Sequence, residues 1–285
     1  MMESNSTYCI LRKQTPKLLL VMLLWLCLAL SGHAQSGTPL KVAFTLSTPS
    51  HSLLSLDRFD RAYLADAKQN ILQLDTLGKV INRFSPTVQG HLASVEAWSM
   101  AKIIAFYDDR QRIQLLDRFL TPLGLADLRD YTDGTVRAAT LAADDRLWLF
   151  DESTFRLLKI DTRLTRITHE TALELTLDRR QHDIRYLREY QGKLYMVDRL
   201  SGIYVFDNMG NYQQRLPITN LSYIGLLGDE LYYLADNKLQ FQHLYTLKER
   251  SVTLPESTVP YTQALAGDRF LYLLTPTQLT AYRWR

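Results

Sequence analysis

The chain has 285 residues, 46% of them hydrophobic and 22% charged, and its 33 basic and 30 acidic side chains give a formal charge of +3. Removing the first 34 residues takes away Arg12, Lys13, Lys17 and Glu3, which leaves 30 basic against 29 acidic groups; a nucleic-acid binder, which needs a basic footprint, is excluded on that balance. Both cysteines, Cys9 and Cys27, lie in the same 34 residues, so thiol chemistry and disulfide stapling are excluded for the remainder, whose core must be large enough to stand alone.

The first element in chain order is a secretory signal over residues 1–34. Three cations precede an apolar run, Leu18 to Leu30, and Ser31-Gly32-His33-Ala34 supplies small residues for cleavage after Ala34. The run is 13 residues, short of the roughly 18 expected of a membrane-spanning helix; an uncleaved anchor is the alternative. Cys27 follows Leu24-Trp25-Leu26 rather than small residues, which argues against lipidation. The chain from 35 to 285 then reads as one domain, exported, periplasmic and without a transmembrane segment once the leader is cleaved.

A lone strand, Leu40 to Leu46, comes next. After it a phrase of hydrophobic strand, polar turn and hydrophobic strand recurs six times: RAYLAD with ILQLDTLG (61–78), IIAFYD with IQLLD (103–117), RLWLFD with LLKID (146–161), KLYMVD with IYVFDNMG (193–210), and two weaker copies at 230–243 and 269–283. The second strand closes at Asp75, Asp117, Asp161, Asp207, His243 and Arg283, in steps of 42, 44, 46, 36 and 40 residues. A period near forty with several strands per unit is the mark of a β-propeller. Turn residues ahead of each pair (Asp144-Asp145, Gln191-Gly192, Gly228-Asp229, Gly267-Asp268) imply an earlier strand, such as Val136–Ala143, Ile184–Tyr190 and Leu221–Leu227. A fourth follows the closing Asp, as at Val80–Phe84 and Gln213–Pro217. Helical periodicity is weak throughout: Leu123–Asp130 and Thr162–Leu177 are the ambiguous segments, and both read as outer strands with long connections.

The expected fold is therefore all-β: a six-bladed β-propeller of four-stranded antiparallel blades. The sixth unit ends without a fourth strand, and Leu40–Leu46 is spare, so the N-terminal strand completes the last blade and removes an open edge.

These residues resemble a known family. YLAD…ILQLDTLGKV and LYMVD…GIYVFDNMGNY look like the NHL and related six-bladed propellers, with strand, turn, strand and Asp-x-x-Gly; Asp75 to Gly78 and Asp207 to Gly210 keep the whole signature. The leader ending His-Ala-Gln looks like those of exported Bacteroidota proteins. The resemblance implies a fold and is nearly silent on activity, because propellers host binding and many chemistries alike.

Chemistry-bearing residues are sparse. Asp66, Asp108, Asp151 and Asp198, with Asp75, Asp117, Asp161 and Asp207, recur in every good copy. A catalytic group is needed once, whereas a carboxylate that accepts backbone N–H bonds in a turn is needed in each unit. His51, His91, His169, His182 and His243 show no metal-ligand spacing, and Asp130-Tyr131-Thr132-Asp133-Gly134 lacks the further oxygens of a calcium loop. A calcium ion held in the tunnel by ligands from different blades would leave no local signature. Nucleophile-elbow, P-loop and dinucleotide motifs are missing. No catalytic residue, metal site or cofactor is assigned.

The strand ahead of each repeated pair is taken to line the central tunnel, and its polar or aromatic residues are the ligand-binding candidates: Glu96, Arg137, Arg185, Tyr223, Tyr261 and Gln263. A tunnel lined by Glu and Arg is alternatively an internal ion-pair network. Tyr107, Tyr131, Tyr186, Tyr190 and Tyr212 sit near strand ends, where tyrosine suits protein or carbohydrate contact. The leading functional reading is a non-catalytic scaffold or protein-binding module of the bacterial cell envelope, with an envelope protein as partner and a small ligand as a further possibility. The alternative is a metal-dependent propeller hydrolase, lactonase-like or sugar-acting, with its site at the tunnel mouth.

Overall fold

A computed structural model describes residues 40–49, 52–66, 68–99 and 101–284. The expected leader lies outside the described residues. The first strand is β1 (Lys41–Ser47). Blade 1 follows with β2 (Leu54–Leu56), β3 (Ala62–Ala65), β4 (Ile71–Leu74) and β5 (Val80–Phe84), and blade 2 with β6 (Leu92–Glu96), β7 (Ile103–Tyr107), β8 (Arg112–Leu116) and β9 (Pro122–Asp127). Blade 3 holds β10 (Val136–Leu141), β11 (Leu147–Asp151), β12 (Arg156–Asp161) and β13 (Arg166–Ala172); blade 4 holds β14 (Ile184–Tyr190), β15 (Lys193–Asp198), β16 (Gly202–Asp207) and β17 (Tyr212–Leu216). Blade 5 is β18 (Gly225–Leu227), β19 (Glu230–Ala235), β20 (Lys238–His243) and β21 (Glu249–Thr253), and blade 6 is β22 (Gln263–Ala266), β23 (Phe270–Leu274) and β24 (Gln278–Arg283).

Every blade is a four-stranded antiparallel sheet, and blade 6 takes β1 as its outermost strand, in the order β1-β24-β23-β22. The ladder joins Val42 to Tyr282 and Leu46 to Leu279. The six-bladed propeller and its closure by the N-terminal strand thus match the expectation from the repeat. The two ambiguous segments are strands, β9 and β13, and the helical tendency after β9 survives only as a 3-10 turn, Leu128–Asp130, whose first turn is capped by the Asp127 side chain. The strand expected at Leu221–Leu227 shrinks to three residues.

The two middle strands of each blade are the apolar ones. In β7, β11 and β23 every residue is buried, because both faces of a blade pack on neighbours, whereas the outer strands β5, β17 and β21 are largely exposed. The core is accordingly not one mass but a series of wedges between blades, such as Trp148, Leu157, Leu187, Met196 and Phe206 between blades 3 and 4. Burying such side chains is worth roughly 1.5–3 kcal/mol each.

The turn chemistry explains the repeated phrase. Asp75 Oδ1 accepts the N–H groups of Leu77 and Lys79, Asp117 those of Phe119 and Thr121, Asp161 those of Arg163 and Leu164, and Asp207 those of Met209 and Asn211. Asp66 does the same for Lys68 and Asn70, and Asp198 accepts from Leu200. The glycine of Asp-x-x-Gly has two jobs. Gly78 and Gly210 take φ of +81° and +87°, and each receives an aromatic ring from the preceding blade: a Cβ on Gly78 would stand 2.6 Å from the Phe44 ring, and one on Gly210 3.2 Å from Trp148.

Candidate functional site: a partitioned tunnel

Strands β2, β6, β10, β14, β18 and β22 line the axis. All run the same way, so one face of the ring (the entry face) carries their beginnings and the other (the exit face) their ends. A chamber of about 610 Å³ opens at the entry face, lined among others by Leu54, Leu92, Arg185, Tyr223 and Gln263, and one of about 890 Å³ at the exit face, lined by residues such as Arg58, Lys102, Asp145, Tyr190 and Asp268. Trp98, in the turn after β6, lines both.

Around Trp98 the tunnel is crossed by a cluster drawn from blades 1 to 4, whose ion pair skips a blade. Arg188 of β14 reaches Glu96 of β6, with Nη1 2.9 Å from Oε1, and its guanidinium lies 5.5 Å from the Trp98 ring centre. Thr140 of β10 donates to the other Glu96 oxygen at 2.6 Å. Tyr190 tilts against Trp98 at 5.8 Å, and Arg58 covers the indole at 5.4 Å. Both members of the ion pair are nearly buried, with side-chain exposures of 9 and 11%. Burial drives the Glu96 carboxyl above the ordinary range, and Arg188 and the Thr140 hydroxyl oppose it.

A second buried network stitches blades 3 and 4. Glu189 accepts the Trp148 indole N–H at 2.6 Å and the Ala143 N–H at 2.9 Å, while Lys159 bridges Asp144 at 3.0 Å and lies over Trp148. Arg188 and Glu189 are adjacent in sequence and diverge to different partners, as consecutive strand residues do.

The inner edge of an axial strand offers unpaired backbone groups, and side chains from the preceding blade around the ring satisfy them. Gln263 donates to the Leu54 carbonyl at 2.8 Å and accepts the Leu54 N–H at 3.2 Å, which ties blade 6 to blade 1. Tyr223 exchanges hydrogen bonds with both backbone groups of Ala264, Tyr232 with those of Ala266, and Gln111 with those of Val136. Burial raises the hydroxyl pKa of Tyr223 and Tyr232 well beyond the usual value, so both stay neutral donors. Gly225, the first residue of β18, lies against the Tyr232 ring with no room for a Cβ.

The six residues singled out from sequence are therefore dispersed. Glu96 lines the exit chamber within the crossing cluster. Gln263, Tyr223 and Arg185 line the entry chamber, with Arg185 bound to Asp183 at 2.6 Å near the mouth. Arg199 shares Asp183, and despite partial desolvation the two guanidinium groups hold its carboxyl below the usual range. Arg137 lines neither chamber; it sits at a bulge and pairs with Glu152 at 2.9 Å on the surface. Tyr261 lines neither, donates to the Pro255 carbonyl at 3.1 Å, and has its hydroxyl pushed up to about 12 by burial and by Tyr282. Sequence reasoning missed Arg188 and Trp98. Two adjacent charges inside an aromatic-apolar strand, Ile184 to Tyr190, were the available signal.

Among the described residues no three His, Cys, Asp or Glu side chains group as metal ligands, and no helix is long and apolar enough to cross a membrane.

The exit face has a second feature. The turns between third and fourth strands all lie there, and in five blades the tip is a large apolar side chain: Leu77, Phe119, Leu164, Met209, and the pair Tyr245 and Leu247. These tips are 52–78% exposed.

No protein-family model matches the chain, and no curated protein sequence matches it. Solved structures do. BamB from Moraxella catarrhalis aligns at 11% identity and a TM-score of 0.50 over 88% of this chain and 92% of its own. Virginiamycin B lyase from Staphylococcus aureus, in a catalytically inactive form with quinupristin, aligns at 10% identity and 0.56 over 86% and 99%. The Neurospora crassa Pan2 WD40 domain aligns at 9% identity and 0.60 over 89% and 98%. At these identities the likeness concerns architecture alone: the chain is a six-bladed β-propeller built like proteins of unrelated activity.

Proposed function

We propose that the protein is an exported scaffold of the bacterial cell envelope that binds a protein partner on its exit face. Residues 1–34 act in this reading as a cleaved signal, residues 35–285 as the single periplasmic domain, and the kinship is with NHL-like propellers of Bacteroidota type. The observation that carries the binding role is the crown of apolar turn tips. The turns themselves are held by Asp75, Asp117, Asp161 and Asp207 through backbone N–H groups, so the tip side chains have no part in folding the turn. Leu77, Phe119 and Met209, each two residues after its turn carboxylate, and Leu164, three residues after Asp161, nonetheless place an exposed apolar group at the turn tips around one face. Large apolar side chains presented on one face and set among polar groups are the anchors a protein interface uses.

The test is affinity capture from the envelope fraction with the wild type and with a Leu77→Ser/Phe119→Ser/Leu164→Ser variant. A partner retained by the wild type and lost by the variant, at an unchanged melting temperature, supports the reading. A partner held equally by both overturns it.

A further inference from the structure

The entry-face chamber sorts its lining by charge. Its walls are apolar (Leu54, Leu92, Val95, Ile224 and Leu265), and its charged lining groups are cations, Arg185 at the mouth and Arg188 at the floor, with no carboxylate among the described lining residues. The carboxylate that neutralises Arg188 belongs to the other side: Glu96 lines the exit chamber. The ion pair thus lies across the tunnel with its positive end toward the leucine-lined cavity.

Arg188 is also positioned in advance. Glu96 holds Nη1, the guanidinium rests on Trp98, and Glu96 is itself satisfied in part by Thr140. A guanidinium has five N–H donors in a rigid fork, so contacts to Glu96 and to the Tyr186 hydroxyl leave donors for another acid group. The cavity's volume lies within the roughly 300–1,000 Å³ of small-molecule sites, which combine apolar walls with a few fixed polar groups.

We infer that the entry-face chamber binds a small amphipathic anion, whose acid group meets Arg188 and whose apolar body covers Leu54, Leu92, Ile224 and Leu265. The site is independent of partner docking on the opposite face.

Two fluorescent probes that share a ring system test it: 1-anilinonaphthalene-8-sulfonate, and N-phenyl-1-naphthylamine, which lacks the sulfonate. Titrated against the purified protein, the sulfonate binds at least about tenfold more tightly than the neutral amine, as one charge-assisted hydrogen bond from a nearly buried guanidinium allows. In Glu96→Gln/Arg188→Met, which removes both charges together, that preference collapses while the neutral probe still binds. Ser94→Trp, which places bulk in the chamber, weakens both probes at least about tenfold, as expected when an apolar site is filled. Equal affinities in the wild type overturn the inference, as does a charge preference that survives the double variant or binding that Ser94→Trp leaves untouched. Should the double variant fail to fold, the wild-type probe ratio and Ser94→Trp decide the matter alone.

Discussion

Arg188→Met isolates the ion pair that crosses the tunnel. The substitution keeps much of the side-chain volume and leaves Glu96, 11% exposed, without its cation. Removing one partner of a buried pair costs about 3–5 kcal/mol, and at about 2–4 °C per kcal/mol for a domain of this size the melting temperature falls by about 6–20 °C at neutral pH. The pH dependence gives the loss a signature. Burial already raises the Glu96 pKa with Arg188 opposing, so deleting Arg188 raises it further. A carboxyl whose folded pKa exceeds its unfolded value binds more protons in the folded state, and stability falls as pH climbs from the ordinary glutamate range, about 4.3, through the raised value. The deficit relative to wild type is therefore largest at neutral pH and shrinks as pH drops toward that range. Adding Glu96→Gln restores much of it at neutral pH. Thermal melts of the wild type and both variants at pH 8, 6 and 4.5 read this directly. A deficit independent of pH, or one that Glu96→Gln does not relieve, refutes the account of Glu96 and Arg188 as a coupled buried pair.

Three further outcomes follow from the ring. Deleting residues 40–46 strips blade 6 of its outer strand and removes the Phe44 ring from against Tyr272 and Gly78, so the truncated protein loses its near-UV signal cooperatively or aggregates; melting like the full chain would show that β1 does not hold the ring. Gly267→Ala drives a Cβ into the Asp60 carboxylate, which accepts the Asp268 and Arg269 N–H groups across the junction of blades 1 and 6, and the melting temperature drops by several degrees, measured by calorimetry. Asp207→Ala costs about 1 kcal/mol in chemical denaturation, as loss of a capping carboxylate does, whereas Asp108→Ala, whose side chain meets the exposed His91, costs less; equal costs would remove the turn-carboxylate argument.

The blades were legible because each good copy demands the same local chemistry: alternating β-branched and aromatic residues, a carboxylate that caps the turn and, in blades 1 and 4, a glycine where a ring from the preceding blade leaves no room. The missing fourth strand of the last unit even located β1. The tunnel was less legible for a geometric reason. Contacts between Glu96 and Arg188 join blades 2 and 4 across the axis, and nothing local in either strand encodes them. Bulges compound this: register shifts between Val136 and Ala138, and between Ile184 and Tyr186, change which side chains face inward, so Arg137 stays on the surface while Arg188 and Glu189 both end buried. Tyr223 and Gln263 were singled out as ligand candidates, and the structure shows both already engaged with backbone of adjoining blades.

The pairing of Val42 with Tyr282 also sets an order of events. During synthesis the strand that shuts the ring appears before any blade and its partner after the other five, so for most of that time β1 has nothing to hold. Blades 1 to 5 are free to form in sequence from local hairpins, but the circle stays a crescent until β24 arrives, and the slowest, most non-local contact becomes the final one. Such a latch makes premature closure impossible by construction, and a molecule cut short before β24 keeps an unpaired β1 and an open end by which a protease can recognise it.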